Sequence, residues 1–395
     1  MAKDNIKRLL DKVQNILNSD EHNRRVKLWE DEPFYSRDKF RRAAKKNSEN
    51  NGLVPIVADP GPTMFARLYG FSVKDYYTKP EIYLENYLNS MIYLFYMGED
   101  TILSNKIPYW LGSGFDSSFF GAETIYSDTE DPWIGRKLPL EEKEAISRME
   151  MPKFERSGLG PLAIRFYHEL SELLNGTGFQ VSPPELIRAP FALAFHLRGF
   201  ENLCIDGMTD PEYVHRLVRF ITDFHKEWYR DREQILGIPI NKGQLFNDEI
   251  DCSVISPAFY KEFALPYEKE LSNFHNGIAY WHSCGNITKM LEDIRTIPGL
   301  QMVNISSWTD YETAARICPD IALEFCLRPS ADVYGAKEER MERSIRNIMD
   351  ICKVHQVEAY HIRAGSLQSY SKTVQEDFSI IQKWINLAQG ISKNL

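Results

Sequence analysis

Over the first fifty positions, apolar residues return every three or four places. Ile6, Leu9, Leu10, Val13, Ile16 and Leu17 follow the spacing of an amphipathic helix. This predicts a polar helical extension over residues 1–50, with "RDKFRRAAKK" at 37–46 as a basic helix whose charges form a solvated face. After residue 50 the rhythm changes. Short apolar runs alternate with longer stretches of helical period. The runs at 54–59, 101–105, 178–182, 243–248, 278–284, 302–306, 321–326 and 359–363 predict strands. Helices are expected at 210–230, 257–274, 287–296 and 337–355. The stretch 106–177 is looser, with room for an extra hairpin at "GAETIYSD". Eight strands, each followed by helix, predict a closed TIM (β/α)8 barrel over residues 51–395. A doubly wound open sheet fits less well, because no glycine-rich phosphate loop follows the first strand.

In such a barrel the chemistry gathers where the strands end. The expected ends carry Asp59, Asp248 with Glu249, His282 with Cys284, Ser306 with Trp308, Cys326, and Arg363. His282 and Cys284 lie two apart, so an extended backbone points both to one side. Cys326 ends the seventh strand, and alternate strands feed the same interior layer. One imidazole and two thiolates suit zinc better than magnesium or calcium, and three protein ligands leave a catalytic position open. Glu249 or Asp248 is expected to close that position when substrate is absent, with helix capping or hydrogen bonding the competing role for either. Cys204, Cys252, Cys318 and Cys352 read as packing residues. His196 and His361 are candidate acids or bases. Tyr109, Trp110, Phe115, Phe119, Phe120 and Trp133 either line a pocket for a flat ligand or fill core.

Composition narrows the partners. The 395 residues are 43% hydrophobic, 12% aromatic and 26% charged, with a net charge of −9. That balance is globular and argues against nucleic acid, whose phosphates need a basic face. No apolar run approaches the ~18–20 residues of a membrane span. The polar start, "MAKDN", shows no signal peptide. Six scattered cysteines do not make a disulfide framework, so a reducing cytoplasm is expected. Neither a Gly-x-Ser-x-Gly elbow nor a His-Glu-x-x-His helix is present.

Four stretches resemble the uroporphyrinogen decarboxylase superfamily, over nearly all of residues 50–390. They are "RAPFALAFHLRGFENLCIDGMTDPEYVHRLV" (188–218), "ISPAFYKEFALPYEKEL" (255–271), "HSCGNITKML" (282–291) and the closing "AYHIRAGSLQSYSKTVQEDFSIIQ". The resemblance implies the barrel fold. Within it the chain is similar to the zinc-dependent, cobalamin-linked methyltransferases, where a His-x-Cys pair and a later cysteine hold zinc. His282, Cys284 and Cys326 stand at those positions. The decarboxylases themselves use no metal and grip their substrate with an arginine-rich element near the first strand. This chain has "VADPGPTMFARLYG" there, with Arg67 alone, and Asp59 where the decarboxylases carry a central aspartate.

The resemblance thus implies an enzyme moving a methyl group between a small thiol or methylated substrate, an aromatic methyl ether included, and cobalamin. Zinc would act as a Lewis acid on the substrate heteroatom, with Glu249 and Asp59 as further site residues. The corrinoid is expected in trans, on a separate corrinoid protein. The Asp-x-His starts at Asp20 and Asp223 meet Arg25 and Trp228 where a cobalt-binding loop needs glycine. Two alternatives stay open: metal-free decarboxylation, and a non-catalytic barrel that binds a tetrapyrrole.

Overall fold

The computed structural model describes residues 2–30 and 42–393. Among the described residues ten strands occur in chain order: β1 (Ile56–Pro60), β2 (Lys106–Ile107), β3 (Thr124–Ile125), β4 (Trp133–Ile134), β5 (Gln180–Val181), β6 (Gly243–Phe246), β7 (Ile278–His282), β8 (Met302–Ile305), β9 (Ala322–Leu327) and β10 (Tyr360–Leu367). Six form one parallel sheet in the order β1-β10-β9-β8-β7-β6, and β2 pairs in parallel with β5. Backbone bonds close the ring between these two groups. Asp100 N–H donates to the Ile56 carbonyl at 2.8 Å, and Phe246 N–H donates to that of Ile187 at 2.8 Å. The result is the TIM barrel, with β3 and β4 as an antiparallel hairpin outside it.

The expected strands lie close to the observed ones, with one shift. The second strand falls at 106–107 instead of 101–105, because side chains take up the earlier backbone: the Glu99 carboxylate accepts from both N–H and hydroxyl of Thr101. The expected helix at 257–274 is two helices, Pro257–Phe263 and Leu265–His275, broken where Pro266 supplies no N–H. That at 287–296 is a 3-10 turn, Thr288–Met290, followed by Leu291–Ile294. Of the expected basic helix at 37–46, residues 37–41 lie outside the described residues. Residues 42–46 are not helical, and Ala44 forms a bridge with Trp29.

The N-terminal helices, Ala2–Leu17 and Asp20–Val26, bury Ile6, Leu9, Leu10, Val13 and Ile16 in the main core. Beyond them, Trp29 packs with Leu28 and Val57, its ring edge-on to His361 at 5.2 Å and its Nε1 donating to the Asp100 carbonyl at 2.8 Å. The extension therefore covers a barrel surface that would otherwise be wet.

Inside the barrel the alternation of strand side chains assembles a polar layer. Asn304, Glu324 and His361 are register partners on three adjacent strands, β8, β9 and β10. Glu324 is fully buried and accepts from Tyr280 Oη (2.5 Å), Asn304 Nδ2 (2.7 Å), Arg363 Nη1 (3.0 Å) and His361 Nε2 (3.2 Å). Burial opposes its charge. The Arg363 guanidinium and the bonds from His361 and Tyr280 outweigh that and hold its carboxyl well below the usual range. Arg363 Nη2 reaches on to Asp59 Oδ2 at 2.8 Å, linking this layer to the mouth.

Two outcomes are expected for stability. Trp29→Ala should lower the unfolding free energy by about 3–5 kcal/mol, as for other large core truncations, and an unchanged urea midpoint would place the extension outside the cooperative unit. Arg363→Met should cost about 3–5 kcal/mol by stranding the Glu324 carboxylate. Adding Glu324→Gln should recover part of that loss. Full stability of the single variant would show that the carboxylate is not charged in the core.

Candidate active site at the barrel mouth

The mouth is built by two stitched loops, those after β6 and β7. Asn247 N–H donates to the His282 carbonyl (2.8 Å), Cys252 N–H to that of Asn286 (2.7 Å), and Ser283 Oγ to that of Ile250 (2.7 Å). Asn286 N–H donates to Asp251 at 2.9 Å. The loops approach so closely that a Cβ on Gly285 would sit 2.6 Å from the Asp251 side chain, so glycine is required there. The "ISPAFYKEFALPYEKEL" stretch buttresses the pair from outside. Ser256 caps its first helix by accepting from Phe259 N–H, with Pro257 in the first turn, a favoured start. Further on, buried Glu268 accepts from Tyr260 Oη (2.6 Å), Trp281 Nε1 (3.0 Å) and Asn247 Nδ2 (2.8 Å). The residue before Asp248 is thereby pinned.

This stitching brings three potential metal-binding atoms together. Asp248, His282 and Cys284 each offer one within 4.8 Å of the others, with His282 Nε2 3.1 Å from Asp248 Oδ1 and 3.3 Å from Cys284 Sγ. His282 and Cys284 share a side, as an extended backbone requires. Burial disfavours the Asp248 charge, but the hydrogen bond and charge of His282, then Arg188, hold its carboxyl below the usual range. Burial and the Asp248 charge push the Cys284 thiol up. A cation bound among them would reverse that, since a coordinating thiol loses its proton. On its far side, His282 Nδ1 lies 3.2 Å from Tyr280 Oη, whose proton goes to Glu324. A ring held at Nδ1 turns Nε2 toward Asp248 and Cys284.

The other expected site residues fall close by in different roles. Cys326 lies on the interior face two residues after Glu324, and burial pushes its own thiol up. It does not join the 4.8 Å set: its Sγ accepts from Asn304 Nδ2 at 3.1 Å. Glu249 faces away from Cys284, bound to His196 Nε2 and, at 3.1 Å, to Arg188 Nη1. Of the two adjacent carboxylates, Asp248 is the one that lies with His282 and Cys284. Asp59 lines the cavity of about 190 Å³ that also exposes Asp248, His282, Cys284, Arg188 and Asp116. His361 is sealed in the core on Glu324.

Sequence reading missed several contributors. Asp116 is buried and accepts backbone N–H groups of Ile187 (3.1 Å) and Arg188 (2.6 Å), fixing where Arg188 enters. Tyr280, Asn304 and Glu324 alternate with apolar neighbours on their strands, and a polar residue every second position in a buried strand was the available signal. Of the aromatics, Trp110 lines the mouth, whereas Tyr109, Phe115, Phe119 and Phe120 are core and Trp133 is exposed.

Comparison with known proteins agrees with this architecture. The uroporphyrinogen decarboxylase (URO-D) family matches residues 118–367. A Methanosarcina mazei protein named methylated-thiol–coenzyme M methyltransferase is 31% identical over 143 residues, 36% of this chain and only 37% of that relative's length. A solved structure, a methyltransferase from Methanosarcina mazei, superposes with a TM-score of 0.58 over 85% of this chain and 94% of that one, at 11% identity. Because the family match covers more than half of its length, this chain belongs to the uroporphyrinogen decarboxylase family.

Proposed function

We propose that this protein is a zinc-dependent methyltransferase. It would move a methyl group between a small thiol or methylated substrate and the cobalamin of a separate corrinoid protein. The observation that carries this reading is the convergence of Asp248, His282 and Cys284 at the barrel mouth. An imidazole nitrogen, a thiolate and a carboxylate are a zinc donor set. The partial likeness to a protein named as a methyltransferase of methylated thiols supports the reaction class.

On this reading His282 and Cys284 hold the metal, and Cys326 reaches it from β9 by leaving the Asn304 amide. Asp248 is the carboxylate that yields to a sulfur substrate, because a harder oxygen ligand is displaced readily by thiolate. Zinc, when bound, supplies Lewis-acid stabilisation to the substrate heteroatom whose charge changes as the methyl group moves. Arg188, fixed by Asp116, balances Asp248 and Glu249. Tyr280 and Glu324 orient the His282 ring, and Asp59 with Arg363 forms the adjoining wall. Among the described residues, no helix is long and apolar enough to cross a membrane. Two reduced thiols at the site suit a cytoplasmic setting.

The test is metal analysis coupled to activity. Anaerobically purified protein should hold near-stoichiometric zinc, and Cys284→Ala should lose most of it. Asp248→Asn should weaken zinc by at least about tenfold, the order seen when groups supporting a site are lost, whereas Glu249→Gln should retain it. Methyl transfer between methylcobalamin and a thiol should vanish on chelation and return with zinc. Undiminished transfer by metal-free protein would overturn the proposal.

A further inference from the structure

The cavity at the metal-binding set has one wall whose polar atoms are only half used. It is formed by Arg188 and Asp116, both buried, at 7% and 2% exposure. Among the described residues, every hydrogen bond from the Arg188 guanidinium leaves from Nη1. One goes to Asp248 Oδ2 (3.4 Å) and two to the Glu249 carboxylate (3.1 and 3.4 Å). The other edge of the fork, Nη2 with Nε, carries none. Asp116 is the complement. Its Oδ2 accepts from the backbone of Ile187 and Arg188, whereas buried Oδ1 meets no donor among the described residues. Burial pushes this carboxyl up. A buried acceptor left so costs about 1–3 kcal/mol, which a donor on a ligand recovers.

The adjoining cavity, of about 250 Å³, is complete in itself. It meets the first at Asp59, Trp110 and Ser366. Tyr76, Tyr83 and Tyr87 pack on one another. Tyr77 lies edge-on to Trp110 and bonds Asp131 Oδ1 at 2.8 Å, and Asp59 is bonded to Arg363. A substrate tail therefore finds its polar partners on the Arg188 side.

Position and charge decide what that side takes. Arg188 Nη1 touches one oxygen of Asp248, and the other oxygen lies 3.1 Å from His282 Nε2 and 3.3 Å from Cys284 Sγ. One carboxylate's width separates the guanidinium from the metal-binding atoms, so a group on a short alkyl chain reaches it from a metal-held sulfur. The lining carries Asp59, Asp116 and Asp248 against Arg188 and Arg363, and Glu249 also stands on Arg188. The charge of a bound zinc is met by the thiolates that hold it. A further anion meets an excess of carboxylates, and a cation meets the guanidinium. A neutral group that both accepts and donates meets neither penalty.

We propose that the substrate is a thiol or methyl thioether whose tail is an uncharged primary carboxamide. Its carbonyl accepts from the Nη2–Nε edge of Arg188 and its N–H donates to Asp116 Oδ1, while the sulfur lies at Asp248, His282 and Cys284. The inference rests on the proposed zinc-thiol chemistry and adds the substrate class. Both wall groups are held by protein bonds before the substrate arrives, which limits the ordering cost of binding.

Calorimetric titration of zinc-loaded protein with thiols of matched length tests this without any turnover. The probes are 3-mercaptopropanamide, 3-mercaptopropanoate, 3-aminopropanethiol and 1-propanethiol. The carboxamide should bind at least about tenfold more tightly than propanethiol, as for a hydrogen bond to a charged group, and more tightly than either charged thiol. Asp116→Asn keeps an acceptor for the two backbone N–H groups and sets an N–H donor in place of Oδ1. It should cancel the carboxamide's advantage over the carboxylate, a change of ranking that a merely structural loss, weakening all four thiols alike, does not produce. Arg188→Lys, which keeps the charge and loses the planar fork, should bring the carboxamide close to propanethiol. Equal affinities, tightest binding by the carboxylate or the amine, or an unchanged ranking in both variants would overturn the tail assignment while leaving the zinc-thiol reading intact. Failure of every thiol to bind the zinc-loaded protein would overturn both.

Discussion

A carboxylate sealed inside a barrel must be surrounded by donors, and Glu324 sets that requirement for this molecule. A lone buried charge costs several kcal/mol, so its partners on neighbouring strands are held as tightly as the charge itself. They come from three other strands, Tyr280 on β7, Asn304 on β8, and His361 with Arg363 on β10. Through Arg363 the constraint reaches Asp59 on β1. Through Tyr280 it reaches the ring of His282. The two walls of the mouth are thus positioned by one group that never meets solvent.

The loops above that layer decide which atoms meet. Asp248 and Glu249 are adjacent acids with opposite surroundings. Asn247, held by Glu268 and by the His282 carbonyl, turns the chain so that Asp248 faces Cys284. Glu249 then falls against His196 and Arg188. Arg188 touches both carboxylates, so positive charge from the segment before the helix Pro190–Arg198 balances the acids after β6. Burial opposes the Asp248 charge, but His282 and Arg188 hold its carboxyl below the usual range.

The two cavities divide the mouth by chemistry. One is lined by sulfur, imidazole and carboxylate, and the other by tyrosine rings. They meet at Asp59, the residue that Arg363 ties to the buried layer. A family fold shared by enzymes of different chemistry is varied here at its rim, where the helices after β1 supply side chains that the barrel itself does not require.

Much of this was legible in the chain alone, for a local reason. Strand side chains alternate, so the phase of each apolar run settles which residues face inward and which stand at its end. That is enough to place His282 with Cys284 and to put Asp59, Cys326 and Arg363 near one mouth. Tertiary structure decided the rest. The choice between Asp248 and Glu249 depends on hydrogen bonds from Glu268 and the β7 loop, and the engagement of Cys326 depends on Asn304 across a strand pair. The second strand moved because Glu99 captures Thr101. The tyrosine wall comes from the helices Val73–Thr78 and Pro80–Met97, and periodicity reports that a face is covered and not what covers it. Local pattern determines direction; only packing between distant segments determines the partner.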